Sequence, residues 1–537
     1  MHEIELKFQV PAGQCAAVDS AVAGRSPQRR VRLQAAYCDT AQRALAKARL
    51  ALRVRREGRQ WVQTLKGATD DGMTRLEHNV ALGSAAEPPP ADPSRHAGTP
   101  AGDRLFAALQ RGTDGRAGGG SGGSAGGSAE PLVVRYRTDI LRRTRIQRSA
   151  LGSVELAFDT GSITAGEAKL AVRELEIELL AGSPLAVVEV ARRWLPRFGL
   201  WLDTRSKSER GDMLARGKTM APPRTASAID LTPRMSGAEA LRCVLRNCAD
   251  QVLGNASQIA SGEHTDEHVH QLRVGLRRLR TALQLFDHTV DAVPTAAPSL
   301  AAADSTLSAA AATLFRRLGA ARDQVVIEAG FAADLQAALN VAGVPGDAPR
   351  APASGAEEAP DAVLREVASQ ALLLDLLAAT QGAGSLRPPV GPAAESSAPL
   401  PAVPPDRPDL RGQFAARLNR WHRRAAADAK CYRKLDDAGR HRLRKHVKRL
   451  RYALEFSTSL FPRRAVRRYL AALRAVQERL GAINDVVVAM EAYKRSRDTD
   501  PRAWFALGWL AARREVLMTQ ALPDLKKFAG AKRFWKQ

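Results

Sequence analysis

HEIELKF, residues 2–8, sets three charged side chains, Glu3, Glu5 and Lys7, between the apolar Ile4, Leu6 and Phe8. Side chains of a strand alternate faces with a period of two, so this run has one apolar face and one charged face. Two carboxylates held that close repel unless a cation sits among them. The pattern recurs. RELEIEL (173–179) puts Glu174, Glu176 and Glu178 opposite Leu175, Ile177 and Leu179. ALRVRR (51–56) puts Arg53 and Arg55 opposite Leu52 and Val54, and SVELAFD (153–159) puts Glu155 and Asp159 opposite Val154, Leu156 and Phe158. RQWVQTLK (59–66) and TRLEHNV (74–80) alternate likewise. A solvated sheet face accounts for one such strand, but not for a set that carries both signs of charge. Closing the sheet into a barrel with charge inside does. The lumen then holds carboxylates for a divalent cation, with Lys and Arg for phosphate oxygens. The outer apolar faces would pack on helices or loops.

The chain is 537 residues long, enough for two or three domains. Its 81 Lys and Arg against 56 Asp and Glu give a net charge of +25, which implies an anionic partner. Five cysteines without a CxxC pair read as free thiols in a reducing cytosol. No apolar leader opens the chain and no uncharged run approaches the roughly 20 residues of a membrane span, so a cytoplasmic protein without a membrane partner is expected. No GxxxxGK[ST] phosphate loop occurs. Strand signals occupy residues 1–217, with a flexible Gly/Ser insertion at 115–129. Residues 218–235 read as a linker. Helical periodicity fills 236–530, interrupted by a Pro/Ala-rich stretch at about 343–410 that holds one short helix around DAVLREVASQALLLDLLAAT (361–380).

The helical half carries a repeat. HQLRVGLRRLR (270–280) aligns with HRLRKHVKRLR (441–451), so that His270, Arg273, Arg277 and Arg280 match His441, Arg444, Lys448 and Arg451. That spacing places each set of four within an arc of about 80° along about 15 Å of helix. Leu272, Leu276, Leu279 and Leu283 fall opposite, as do Leu443, Val447, Leu450 and Leu454. Arg278, Lys445 and Arg449 flank the stripes. LGAARD (318–323) echoes LGAIND (480–485), read as a repeated turn, so a multi-helix element is duplicated. Two basic stripes nearly free of acids suit a featureless phosphate chain. Nucleic acid is the rival occupant, against which stands the lack of interleaved aromatics for base stacking. HTDEHVH (264–270) reads as a solvated helix start, since no HExxH or cysteine partner accompanies it.

These residues carry two resemblances. Glu3-Ile4-Glu5-Leu6-Lys7 resembles the ExExK signature of CYTH domains, the triphosphate tunnel metalloenzymes. Tyr37-Cys38-Asp39-Thr40, Leu52 to Arg55, Thr64 to Lys66, Arg75 to Glu77, Arg137 to Arg142, Glu155 to Gly161, Glu174 to Glu178 and Ser206 to Ser208 follow in the order of that family's motifs. The resemblance implies an eight-stranded antiparallel β tunnel holding a linear triphosphate. Glu3 and Glu5, with Glu176 or Glu178, would bind Mg²⁺ or Mn²⁺. Lys7, Arg53, Arg55, Lys66, Arg75, Arg142 and Lys207 would grip phosphate oxygens. Glu3, Glu5, Lys7 and Glu155 are the catalytic candidates; Glu155, Glu77 or a second metal would activate water, although Glu77 and Asp159 could equally be partners of arginines. Residues 236–530 resemble the CHAD domain, an all-helical module of two similar halves. That implies inorganic polyphosphate binding by His270, Arg273, Arg277, Arg280, His441, Arg444, Lys448 and Arg451. The expectation is a bacterial inorganic triphosphatase. The alternatives are an adenylate cyclase or thiamine triphosphatase on the same fold, or a non-catalytic polyphosphate- or nucleic-acid-binding protein.

Overall fold

The computed structural model describes residues 2–25, 30–68, 74–114, 130–286, 300–351, 358–381 and 409–536. The insertion at 115–129 and residues 382–408 of the Pro/Ala-rich stretch lie outside these. The N-terminal elements run β1 (His2–Gln9), α1 (Cys15–Ala23), β2 (Val31–Asp39), α2 (Ala44–Lys47), β3 (Leu50–Glu57), β4 (Gln60–Ala68) and β5 (Thr74–Gly83). They continue through α3 (Pro100–Asp114), β6 (Val133–Ser149), β7 (Gly152–Ala165), β8 (Ala168–Gly182), α4 (Leu185–Phe198), β9 (Trp201–Leu202) and α5 (Lys207–Leu214). The helical elements are α6 (Gly237–Ala260), α7 (Asp266–Phe286), α8 (Leu300–Arg317), α9 (Ala320–Val341), α10 (Pro360–Arg365), α11 (Val367–Gln381), α12 (Leu410–Lys430), α13 (Asp437–Phe456), α14 (Arg463–Ser496) and α15 (Arg502–Ala529).

The strands follow the order β5-β4-β3-β2-β6-β7-β8-β1-β9, and a further pairing of β5 with β1 closes the first eight into a barrel. Neighbours are antiparallel throughout. The eight-stranded antiparallel architecture expected from the sequence is present, followed by an all-helical region. The ninth strand is a two-residue addition on the seam. β1 pairs with β5 at residues 2–4 and with β9 at Phe8 and Gln9. Alternation has the anticipated outcome. Leu6, Phe8, Leu52, Val54, Leu156, Phe158, Leu175 and Ile177 point outward and are all buried. Helix α4 packs over β1, β7 and β8. Helices α2 and α3 cover the other side, joining Leu45, Leu105 and Ala108 to Leu50, Leu52 and Leu65 in one apolar cluster. Burying each large aliphatic side chain this way contributes about 1.5–3 kcal/mol.

One end of the lumen is apolar. Leu33, Tyr37, Tyr136, Ile140, Ile163 and Val172 cluster there with Leu214 of α5. Tyr37 and Tyr136 stack with centroids 4.7 Å apart. Gly211 lets α5 approach: a Cβ there would lie 2.3 Å from ring carbons of Tyr136. Ser206 caps α5 in a reciprocal capping box with Glu209, fixing where the helix starts and so where Lys207 points.

Two compact units result. Of the described residues, those within Met1–Arg224, Ala249–His268 and Leu364–Ser396 form one, and those within Thr225–Cys248, Val269–Val363 and Ser397–Gln537 form the other. No helix or strand lies between α5 and α6. The first unit takes in the C-terminal half of α6 and helix α11. Within it, Gln370 of α11 accepts from the backbone N–H of Leu202 in β9 at 2.7 Å, and Ser257 of α6 accepts from that of Thr204 at 3.0 Å.

In the second unit the leucine faces of α7 and α13 are buried as their spacing predicts. Three expectations need correction. Leu318-Gly319 breaks the chain between α8 and α9, whereas Leu480 to Asp485 sits inside the continuous α14. Arg278 does not flank the stripe; it is buried, donates to Asn247 at 2.7 Å and stacks on Phe456. His268 is not solvated either, being buried with Nε2 on the carbonyl of Ala221 and Nδ1 accepting from the Thr265 N–H. Both ring nitrogens are thereby used, as in a neutral histidine. Among the described residues, no helix is long and apolar enough to cross a membrane.

Candidate active site and basic stripe

Register decides which lumen charges meet. Glu5 of β1 lies opposite Glu178 of β8, and Glu178 lies opposite Glu155 of β7. Three strands thus present one row of carboxylates. Lys7 lies opposite Glu176 and pairs with Glu5. Glu3 lies beside Lys66, whose Nζ is 2.8 Å from Glu3 and 2.8 Å from Glu77. Burial, a hydrogen bond to Glu77 and the nearby Glu5 push the Glu3 carboxyl up to about 8 in spite of Lys66. Its partner Glu77, though buried, is held well below the ordinary range by that hydrogen bond and by Lys66. The two behave as one pair sharing a proton. Glu178 is raised by burial and then, against the pull of Lys66, by Glu5, Glu176 and Glu155. Burial also raises Glu155, with Arg142 opposing.

A second acidic group lies nearer α5. Ligand atoms of Asp159, Glu174 and Glu176 lie within 4.8 Å of one another, a spacing that suits a metal ion. Three cations already meet them. Arg142 is bidentate to Asp159 at 2.7 Å and also holds Glu176. Lys207 lies 2.8 Å from Asp159 and 2.9 Å from Glu176, and it pairs with Glu174. Arg210 pairs with Glu174. Lys207 and Arg142 keep Glu176 ionised, far below its ordinary value although most of its side chain is out of water. This cluster is a neutralised salt-bridge floor; in the carboxylate row Glu3 meets Lys66 and Glu5 meets Lys7, while among the described residues no ion pair holds Glu155 or Glu178.

The facing wall is basic. Arg53 Nη1 donates to the Tyr37 hydroxyl at 3.3 Å, and Arg55 donates to Glu57 at 2.8 Å. Burial and then the neighbouring Arg53 lower the Arg55 pKa. Arg75 stands opposite Glu3 in the β1–β5 pairing; its side chain lies outside the described residues. The lumen therefore collects Glu3, Glu5, Lys7, Arg53, Arg55, Lys66, Arg142, Glu155, Glu176, Glu178 and Lys207, with Lys207 and Arg142 engaged by the acidic floor, Lys66 by Glu3 and Glu77, Lys7 by Glu5 and Arg55 by Glu57. Sequence reasoning missed Tyr37 as a support for Arg53, and Arg210 as a partner of Glu174. The i,i+3 spacing of Lys207 and Arg210 on one helix face was the available signal.

In the helical unit, Arg273 and Arg277 stack on Phe315 at 4.6 and 5.3 Å, and Arg277 Nε donates to the Tyr452 hydroxyl at 3.4 Å. Lys448 is pushed down to about 6 by burial and by Arg277 and Arg444, with Asp485 of α14 opposing. His441 is lowered by burial and by Lys445, and hydrogen-bonds Asn484 of α14. Arg273, Arg277, His441, Arg444 and Lys448 therefore gather, and His270 is half-buried one turn before Arg273. Arg451 is instead held by Glu455 at 2.8 Å and Gln477 at 3.0 Å. Asn484 and Asp485 were visible in the sequence only as part of the presumed turn.

A family model described as CYTH domain matches residues 1–211, and one described as CHAD domain matches residues 243–494. Among solved structures, the chain is similar to the CHAD domain from the plant Ricinus communis at 26% identity over 58% of this chain and 98% of that one, TM-score 0.42. It is similar to a putative adenylate cyclase from Bacillus halodurans at 16% identity over 39% and 96%, TM-score 0.27. A putative adenylyl cyclase from Hippeastrum, described as having a dominant triphosphatase activity, matches at 19% identity over 41% and 98%, TM-score 0.26. Together with a closed barrel lined by both signs of charge, the two family-model matches make the chain a CYTH domain followed by a CHAD domain.

Proposed function

We propose that the barrel hydrolyses inorganic triphosphate with Mg²⁺ or Mn²⁺, and that the helical domain binds inorganic polyphosphate in the cytoplasm. The observation that carries the first part is the carboxylate row Glu5–Glu178–Glu155 with Glu3 beside it, enclosed opposite Lys66, Arg53 and Arg55. Acids raised in pKa by burial and by neighbouring acids, as Glu3, Glu155 and Glu178 are, are suited to a divalent ion. Glu3, Glu5 and Glu178 would hold it, and Glu176 would keep to its salt bridges. When bound there, such an ion would supply charge neutralisation for phosphate oxygens and would make water more acidic. Lys66, Arg53 and Arg55 would bind phosphate oxygens, and Lys7 would do so on release from Glu5. Tyr37 orients Arg53. Arg142 and Lys207 fix the floor that positions β8. Water oxygen attacks a terminal phosphorus, the bond to the bridging oxygen breaks, pyrophosphate leaves, and the water proton passes to Glu155. Its raised pKa makes Glu155 a stronger base than an ordinary carboxylate. Phosphoryl transfer asks little more of a protein than this positioning and charge balance.

The test is phosphate release from triphosphate, ATP and thiamine triphosphate, with and without Mg²⁺ or Mn²⁺, for the wild type and for Glu3→Ala and Glu5→Ala. Metal-dependent release from triphosphate, lost in both variants, supports the proposal. Cyclic AMP from ATP would make it a cyclase, and absence of turnover a binding protein. For the helical domain, polyphosphate retention that survives excess DNA supports the proposal, and displacement by DNA refutes it.

A further inference from the structure

The basic stripe continues beyond the residues its two helices repeat. Arg280 ends it on α7, three residues and about 4.5 Å beyond Arg277. Arg449 lies next to Lys448 on α13, turned about 100° toward α12. There its guanidinium stacks on Trp421, 5.5 Å from the ring centroid. Arg424 follows Trp421 by one turn on α12, and Arg280 follows by one turn the Arg277 whose Nε reaches Tyr452, itself one turn after Arg449; in keeping with this, burial and then Arg280 and Arg424 lower the pKa of the partly buried Arg449. Three arginines from three helices thus share one neighbourhood. Among the described residues, no hydrogen bond or ion pair holds any of the three guanidiniums, and the Arg280 Nε is buried without a partner. Other arginines of this unit are engaged: Arg451 by Glu455 and Gln477, Arg278 by Asn247. Arg280 and Arg449 are partly buried and Arg424 is exposed; like charges gathered where two of the three are partly desolvated are costly unless an anion joins them.

We propose that Arg280, Arg424 and Arg449 form a further phosphate subsite, where a phosphate chain leaving the Arg273–Arg277–Arg444–Lys448 cluster is gripped against α12. Trp421 is the platform that holds Arg449 in place. This rests on the polyphosphate reading above and goes further, because the domain then distinguishes long phosphate chains from short ones. A short chain occupies the central cluster alone, whereas a long chain reaches all three helices. Arg424 lies on a helix that carries neither repeat, so the repeat does not announce it.

The experiment measures binding of long-chain polyphosphate and of tripolyphosphate as a function of salt, in metal-free buffer, to the full chain carrying Arg53→Ala and Lys66→Ala throughout, so that the tunnel does not take up the short ligand. Arg424→Ala and Arg449→Ala are compared with the central variant Arg277→Ala. Trp421 emission is followed against a Trp421→Phe control, and circular dichroism checks folding. Loss of Arg424 is expected to reduce the slope of log affinity against log salt by about one unit for the long chain, leave tripolyphosphate affinity unchanged, and abolish the change in Trp421 emission. Arg277→Ala is expected to weaken both ligands. Unaltered long-chain binding and salt slope in folded Arg424→Ala and Arg449→Ala overturn the subsite while leaving the central cluster standing. Failure of this tunnel-disabled chain, otherwise unaltered, to bind either ligand overturns both readings.

Discussion

Glu176 and Glu178 stand two residues apart on one strand face, yet in opposite electrostatic situations. Glu176 is compensated by Lys207 and Arg142; Glu178 faces Glu5 and Glu155. Their substitutions should therefore separate stability from function. Glu176→Ala leaves buried cations short of a partner and should destabilise the barrel by up to about 3–5 kcal/mol, seen as a lowered melting temperature. Glu178→Gln relieves like-charge repulsion, so the melting temperature should hold or rise. The apparent metal affinity should fall by at least about 10- to 100-fold, the loss seen when even a residue supporting a metal ligand is removed; titrating activity against Mg²⁺ checks this. The charged faces were legible because alternation with a period of two is local. Which acid meets which base was not, since that depends on the register between strands far apart in sequence. The motif gave Lys207 as a phosphate ligand, while the fold surrounds it with three carboxylates.

At the scale of elements, α5 shows how a short helix can organise a tunnel. It closes the apolar end of the lumen and projects Lys207 and Arg210 onto the acidic floor. Gly211→Val should push it off Tyr136, costing at least the about 1–3 kcal/mol typical of overpacking, and should reduce activity through the lost floor. Alanine at the same place is expected to do the same more mildly. Helix α13 carries a pH-dependent prediction. Free Lys448 titrates near 6 rather than at the ordinary 10.5, and a bound polyanion restores its charge. Binding thus takes up a proton above about pH 6, and affinity should weaken as pH rises from there, by at most about tenfold per unit. Lys448→Met should flatten the profile. Strands β2 and β6 gave poor alternation signals. The former relies on small residues, and the latter leaves Ile146 of its distal half in solvent, so neither separates cleanly into an apolar and a polar face. The second LG motif was read as a turn because a glycine within a buried helix leaves the hydrophobic period unchanged.

For the whole molecule, acid should be felt in both units. His96 is pushed down to about 4 by burial and by His78, and His422 to about 4 by burial, Arg533 and Lys430. Unfolded histidines bind protons below about 6.5, while these two stay neutral until about 4. The unfolded state therefore gains protons first, and stability present above pH 6.5 is lost as pH falls toward 4. Thermal melts across that window should shift downward, and His422→Gln should reduce the shift.

The composition change near residue 218 marks where strands give way to helices, and periodicity can show no more than that. A hydrogen bond from Leu202 to Gln370 shows why this is insufficient: an edge of the barrel is completed by a helix 168 residues downstream. Excising residues 1–217 would uncover that edge and the buried glutamine's counterpart, leaving a fragment prone to self-association. The two modules are thus poor candidates for exchange as beads on a string, and a gene encoding the tunnel alone would need to evolve another cover for it.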